Sequence, residues 1–562
     1  MIVPPHTMGY MFRRAFLCVV LLCTAILAIP ASAERLLSPW DWKKITPTDA
    51  PYMCPAAPAF SKTLRLEGSY IDKKYSIIDE KKQAVFDRDS AGPTHLGQYA
   101  ALAADAWLST GSRAAAACVY SLLTAAAKAD AWDDKMPTNN SVYMQNWVLS
   151  GTAIAYLKVR NSPAGAAQQD EQIQQWFRKL AARVREYFDN GRKHPGSDAW
   201  NNHMYWAGLS LAAGGIATGD PDEFLWGMST YERGLYAIQL DGSLDAEMGR
   251  GRRALHYQLY ALGPLVMLAE LGAANGLDLY AEREGAIHRL VQFDVAAMKD
   301  PKLIVTRTGE QQDTTPPFSG LDIGWAVPYV HRFPNADLTS FIAQAPWVSF
   351  WQWGGAPPDA TYPTASKNGN SSDGVAVSRK IEAMLAAEFP PSLTQSYFLG
   401  NWCAQGRTDL HGTVTSAGDS LVLNNGQGST STGELRTPFL LVAPAWNSVG
   451  GALTPDRSQI DWSNGTYWTR CPSATRSKLA SLDGKWIAQG GSCSIRQHGR
   501  SLDLGDTKDC LATGHVDEDG HITLDVSGIR FEGAVTADGN HINWQDGTYW
   551  TRANVYEIQK EQ

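Results

Sequence analysis

Leu96-Gly97-Gln98-Tyr99-Ala100-Ala101-Leu102-Ala103-Ala104-Asp105-Ala106-Trp107-Leu108 carries apolar residues at the i, i+3, i+4 spacing of an amphipathic helix and is followed three residues on by Gly111. The same texture recurs over Arg113 to Ala131, Met144 to Val159, Glu171 to Phe188, Ala199 to Ala213, Pro221 to Ile238, Arg252 to Leu271 and Tyr280 to Met298. Each segment is long enough for a helix, and Gly, Pro, Asn or Asp breaks the chain between them. Consecutive helical hairpins with short connections predict an all-α toroid whose inner helices line a central groove. Periodicity alone leaves an irregular bundle equally open.

Beyond Trp353 the texture changes. Pro357, Pro358, Pro363 and the run Asn368-Gly369-Asn370-Ser371-Ser372 read as a linker, with a short helical stretch over Val377 to Glu388. From about Tyr397 an internal repeat begins. Trp402-Cys403-Ala404-Gln405-Gly406 corresponds to Trp486-Ile487-Ala488-Gln489-Gly490, and Asp461-Trp462-Ser463-Asn464-Gly465-Thr466-Tyr467-Trp468-Thr469-Arg470 to Asn543-Trp544-Gln545-Asp546-Gly547-Thr548-Tyr549-Trp550-Thr551-Arg552, a period of 82 to 84 residues. Alternating β-branched and aromatic residues around Asn-Gly and Asp-Gly predict two tandem all-β modules, each a small barrel or sandwich. The expected organisation is therefore multidomain: a removable leader over 1–33, a helical domain over 34–356, a linker over 357–394, and β modules over 395–473 and 474–562.

The leader is expected because Arg13 and Arg14 precede an apolar run from Ala15 to Ile29 that ends in Ala31-Ser32-Ala33. That run is shorter than a membrane span needs, so a soluble periplasmic or secreted protein is expected. Six cysteines follow the leader. Of the fifteen possible connectivities, Cys54 with Cys118, Cys403 with Cys471, and Cys493 with Cys510 keep each bridge within one structural unit. A net charge of −8 argues against a nucleic-acid partner and against broad capture of polyanions. An anionic ligand then needs a local basic cleft, for which Lys73, Lys74, Lys81, Lys82 and the cluster Arg250, Arg252, Arg253 are candidates.

Two short stretches concentrate chemistry. Asn201-Asn202-His203 and Arg250 through Tyr257 place an amide, an imidazole, a guanidinium and a phenol in the helical half of the chain. If Arg250 opens a helix, Tyr257 falls within about 20° of it on the helix face and about 10 Å along it, with Arg253 between. Such a set can hold a carboxylate, remove an adjacent acidic proton and protonate a departing sugar oxygen, with no cofactor and no metal required. A core tyrosine and a structurally hydrogen-bonded histidine explain the same two residues equally simply. Trp147, Trp200, Trp206 and Trp325 are either sugar platforms or core residues.

Asn201-Asn202-His203-Met204-Tyr205-Trp206, Asp241-Gly242-Ser243, Arg250 seven residues before Tyr257, and Gln311-Gln312-Asp313-Thr314 resemble, in order and separation, the mannuronate-specific alginate lyases of polysaccharide lyase family 5. The resemblance spans roughly residues 40 to 350. It implies an incomplete α/α toroid that cleaves 1,4-linked mannuronate by β-elimination, leaving 4,5-unsaturated products. It further implies that Asn202, His203 and Arg250 neutralise the C5 carboxylate and that Tyr257 acts at C5 and O4. For Tyr257 to act as a base near neutrality its pKa must fall by about 2 to 3 units from the phenol value. Arg250 and His203 are expected to supply part of that fall. Arg253, Trp147, Trp206 and Trp325 are expected to contact substrate, as are Lys73, Lys74 and Tyr75 on a segment that corresponds to the family's lid. The β modules have no counterpart in the resemblance; they are expected to bind polysaccharide or an envelope partner through Trp462, Tyr467, Trp468, Trp544, Tyr549 and Trp550. Alternative functions are a lyase for glucuronan or a glycosaminoglycan, or a non-catalytic scaffold in polysaccharide export.

Overall fold

The computed structural model describes residues 35–192, 197–359, 372–388, 391–405, 407, 410–417, 420–454, 457–464, 466–471, 481–488, 491–498, 500–505, 512–516, 521–526, 529–535, 541–544 and 549–553. The expected leader lies outside the described residues.

Among the described residues up to Lys299, nine helices have ten residues or more: α1 (Glu80–Asp89), α2 (Ala91–Thr110), α3 (Arg113–Lys128), α4 (Asn139–Val159), α5 (Ala167–Gly191), α6 (Asn202–Thr218), α7 (Pro221–Ala237), α8 (Ala254–Ala274) and α9 (Glu282–Lys299). Local chemistry sets their ends. The side chains of Ser112, Thr138, Asn201 and Asp220 accept hydrogen bonds from the first turns of α3, α4, α6 and α7. Gly111 and Gly219 close α2 and α6 in the left-handed conformation.

Packing runs α2 to α4 to α6 to α8 along an inner row, while α3, α5, α7 and α9 lie outside it. Burial follows place for most of these helices, the exceptions being α2, striped although inner, and α7, buried from Phe224 to Tyr236 although outer. The inner helices α4, α6 and α8 bury residues on every face, whereas α5 buries only the stripe Ile173, Trp176, Phe177, Leu180, Ala181, Val184 and Phe188. This is the α/α toroid expected from periodicity.

A turn at Trp351–Trp353 ties the inner row together. A Cβ at Gly97 of α2 or Gly151 of α4 would overlap Trp351, and one at Gly263 of α8 would meet Trp353 at 2.9 Å. Trp353 also stacks on Trp206 of α6 at 6.1 Å. Lys158, fully buried, locks this turn by donating to Asp105 (2.6 Å) and to the carbonyls of Gly354 (2.6 Å) and Ala356 (2.8 Å).

Both β modules are closed eight-stranded antiparallel barrels of meander order. The first runs β1 (Gly400–Ala404), β2 (His411–Ala417), β3 (Ser420–Asn424), β4 (Thr430–Thr437), β5 (Leu440–Ala443), β6 (Val449–Leu453), β7 (Gln459–Trp462) and β8 (Tyr467–Arg470). The second occupies Gly484–Ala488 through Tyr549–Arg552. The sequence repeat is the closing device of each. Trp402 pairs in register with Arg470 and Trp486 with Arg552, and each guanidinium lies over its tryptophan, at 4.0 and 4.7 Å. Trp462 packs on Trp468 at 4.9 Å, as Trp544 does on Trp550. With Trp462, Trp468 and Trp544 at 5, 6 and 7% exposure, these rings are barrel core and not sugar platforms. Tyr467 alone among the described side chains of that set stands open, at 38%. Alternation along a strand turns one face inward, which is why Trp468 is buried while Tyr467 beside it stands open.

Cys54 bonds to Cys118 and Cys403 to Cys471, as expected; Cys510 lies outside the described residues. In the segment expected as linker, a helix over Ser372–Glu388 starts earlier than its apolar pattern and packs on α7. The first barrel shares a continuous apolar core with the helical ring, whereas the second has its own.

Candidate active site

The site forms where α6 begins and where the chain turns into α8. Asn202 occupies the first turn of α6, and Glu247 accepts from both its backbone N–H (2.8 Å) and its side-chain amide (2.9 Å). Arg250 follows one turn later, 3.7 Å from the same carboxylate. The polypeptide then reverses at Gly251, whose φ of 55° and whose closeness to the Glu310 carboxylate leave no room for a side chain. The expectation that Arg250 and Tyr257 share one helix face is therefore corrected: α8 starts at Ala254, and Arg250 precedes it in a separate turn. The two still meet, because the reversal lays the Arg250 guanidinium 4.0 Å above the Tyr257 ring. Gln312 holds the reversal by donating to the Gly251 carbonyl (3.0 Å) and accepting from Leu255 N–H (2.9 Å), while Asp313 pairs with Arg252. The Gln311 to Thr314 element is thus the brace of the turn that carries Arg250.

Tyr257 has its hydroxyl 2.8 Å from that of Tyr70, and either group can donate. Tyr70 opens a loop, bridged at Tyr70 and Ile78, that covers the site. Within it Tyr75 lies under Arg250 at 5.2 Å, and Lys74 pairs with Glu310 at 2.7 Å. Lys73 projects into solvent. Arg253 stands 5.6 Å from the rings of both Tyr70 and Tyr257. His203 stacks on Tyr143 at 3.7 Å, and Trp147 packs beside Tyr143 at 6.4 Å.

Two expected sugar platforms are not platforms. Trp206 and Trp325 are fully buried; their indole N–H groups donate to the carbonyls of Tyr260 (3.1 Å) and Asp322 (3.0 Å), so they are core residues. Trp200 faces the first barrel, against Phe439.

The electrostatics differ from the sequence expectation in two respects. Burial pushes the Tyr257 phenol above its ordinary pKa, the neighbouring Tyr70 adds to this, and Arg250 and Arg253 only partly oppose it. His203 lends no positive charge, because burial lowers its pKa to about 4 against the pull of Asp198. The covered site thus holds a neutral phenol and a neutral imidazole. Burial likewise raises Glu247, with Arg250 and Asn202 opposing, and raises Asp322 to about 6.

Several buried polar atoms here have no hydrogen-bond partner: Asn202 Oδ1, His203 Nδ1, Arg253 Nε and Asp322 Oδ1. Native interiors rarely leave such groups bare, and these lie beside Arg250 and Arg253, the two guanidiniums next to Tyr257, which makes this the candidate ligand position. Glu247, Tyr70 and Tyr143 were not picked out by sequence. Glu247 has a sequence signal, an acid three residues before Arg250, whereas Tyr70 comes from a segment far away in the chain. The single grouping of possible metal ligands among the described residues, Cys403, His411 and Cys471, has its two sulfurs joined as a disulfide.

A helical ring with an amide, an imidazole, two guanidiniums and a buried tyrosine pair converging at one mouth is the equipment of a polysaccharide lyase. Comparison with known proteins agrees. The alginate lyase family model matches residues 63–304. A polysaccharide lyase of Stenotrophomonas maltophilia is 42% identical over 267 residues, covering 46% of this chain and 77% of that protein. An alginate lyase of Pseudomonas syringae pv. syringae is 31% identical over 330 residues, covering 57% and 86%. The solved structure of alginate lyase A1-III from Sphingomonas species A1 aligns with a TM-score of 0.47 and 28% identity, covering 59% of this chain and 91% of that one. The chain belongs to the alginate lyase family.

Proposed function

We propose that the enzyme cleaves 1,4-linked β-D-mannuronate in alginate by β-elimination, with Tyr257 acting at C5 and O4. The observation that carries this is the stacking of Arg250 on Tyr257 beside the unpartnered atoms of Asn202 and His203. In mannuronate the C5 hydrogen and O4 lie on the same side of the ring, so one group placed there can take the proton and return it to the leaving oxygen. Arg250 and Asn202 hold the carboxylate; an amide nitrogen carries two N–H groups, of which Asn202 spends one on Glu247. As C5 loses its proton, charge spreads onto that carboxylate and strengthens these contacts, an effect worth about 3 to 4 kcal/mol per donor.

Because Tyr257 rests as a phenol, it must lose its proton before it can act as base. The hydrogen bond to Tyr70 offers a path, since Tyr70 reaches the surface and Tyr257 does not. Asn202 is fully buried and Tyr257 only 7% exposed, so substrate enters once the Tyr70 to Ile78 loop swings off its Lys74 and Glu310 contact. The basic, apolar N-terminal run supports export to the periplasm or beyond, after removal of residues 1–33. Polysaccharide binding by the barrels retains only Tyr467 as an open aromatic among their described repeat residues.

Purified enzyme offered polymannuronate, polyguluronate, glucuronan and hyaluronan should show unsaturated-product absorbance fastest on polymannuronate. A faster rate on any other polymer overturns the mannuronate assignment. The pH profile tests the base: log kcat/KM should climb with a slope near +1 on the approach to the phenol pKa, about tenfold per pH unit. A flat alkaline limb assigns Tyr257 to acid catalysis alone.

A further inference from the structure

The family model ends at residue 304, yet the first barrel touches both segments that carry the reacting groups. Phe439, between β4 and β5, meets Trp200 edge to face at 5.4 Å, and Trp200 lies two residues before Asn202. Tyr397 stacks behind Phe439 at 6.0 Å, and Arg457 lies 3.7 Å over Tyr397, so the wedge is backed from the barrel side. On the ring side the Arg233 guanidinium covers Trp200 at 4.7 Å and donates to the Ala199 carbonyl at 3.2 Å. A second contact falls on the other catalytic segment. Leu240 sits in the turn bridged at Ile238 and Leu244 that leads into Glu247 and Arg250. Its side chain packs so closely on β6 that a Cβ at Gly450 would overlap it, which explains a glycine within that strand. Between the two contacts, Met204, Tyr205, Leu244 and Leu453 line a cavity of only about 40 Å³.

We propose that the first barrel is a positioning element of the catalytic centre: Phe439 and Gly450 seat it on Trp200 and Leu240, and so fix the spacing between the turn bearing Asn202 and His203 and the turn bearing Glu247 and Arg250. Those turns are joined to each other by the Asn202 to Glu247 hydrogen bonds, whose geometry depends on where each backbone sits. A shift of about 1 Å at a reacting group can lower the rate a hundredfold. The fold thus uses a β module, outside the family's helical unit, as the rear wall of the active site. Neither Phe439 nor Gly450 touches the reacting atoms; both act through the residues they support.

The proposal rests on Asn202 and Arg250 being catalytic. It is tested on whichever uronate polymer the parent enzyme cleaves fastest, so that a failed mannuronate preference leaves the test intact. In the full chain, Phe439→Ala should lower kcat about tenfold or more with KM within about twofold, and Phe439→Leu, which keeps most of the volume, should recover most of the rate. Combined with Asn202→Ala, Phe439→Ala should add no further loss, because its effect passes through that residue. Parent-like kcat in Phe439→Ala, or losses that multiply in the double variant, would overturn the proposal.

Discussion

Two buried polar clusters of the helical ring, one around Lys158 and one around Glu247, differ in how fully their members are satisfied. Lys158 uses its three N–H groups on Asp105 and two carbonyls, and Asp105 also accepts from the Ala356 N–H at 2.7 Å. Around Glu247, by contrast, Asn202 Oδ1, His203 Nδ1 and Arg253 Nε are left bare. A complete network stabilises a turn; an incomplete one in an equally dry setting stores binding capacity for something absent from the chain itself. The first cluster should therefore answer to stability and the second to turnover.

The largest separation is expected at Tyr257. Tyr257→Phe should lose more than about a thousandfold in kcat with KM and thermal midpoint little changed, checked by steady-state kinetics beside calorimetry; near-parent turnover would end its assignment. Arg250→Ala and His203→Ala should each lose more than about a hundredfold in kcat/KM, again with the fold intact. Lys158→Met should invert the pattern. It leaves the Asp105 carboxylate without its cation, costing about 3 to 5 kcal/mol in denaturant unfolding, while kcat per folded molecule stays at the parent value.

The smallest effect belongs to Asp294 of α9, a third kind of site. It is fully buried, neither oxygen has a partner, and burial alone raises its pKa well above the usual carboxylate value. A carboxyl raised in the folded state favours folding while protonated, and that advantage disappears as pH rises through the folded pKa. Asp294→Asn should therefore leave the protein about 2 to 4 °C more stable than the parent near pH 8, with the gap closing towards pH 4 in thermal scans. A constant gap across that range would show that the carboxyl does not titrate.

Helix periodicity made the ring legible, since helices covered on both sides must be apolar all round and those covered on one side striped. The tandem repeat likewise announced two barrels. It did not reveal what its aromatics do, because an indole on a strand is core or platform according to which face the barrel turns inward. Among the candidate site residues, Asn202, His203, Arg250 and Tyr257 were singled out from their chemistry and order. Tyr70 was not: it meets Tyr257 from 187 positions away, and spacing carries no information at that range.

Local pattern alone settled the helical class and the β repeat and brought Asn202, His203, Arg250 and Tyr257 forward as candidates, because side-chain periodicity and residue chemistry are properties of neighbouring positions. Folding in three dimensions decided the rest. It buried Trp206 and Trp325, neutralised His203, raised the Tyr257 phenol where depression was expected, and brought the first barrel against the residues that precede Asn202. Burial and the charges that oppose it depend on which distant segments share a space, and no run of adjacent residues encodes that by itself.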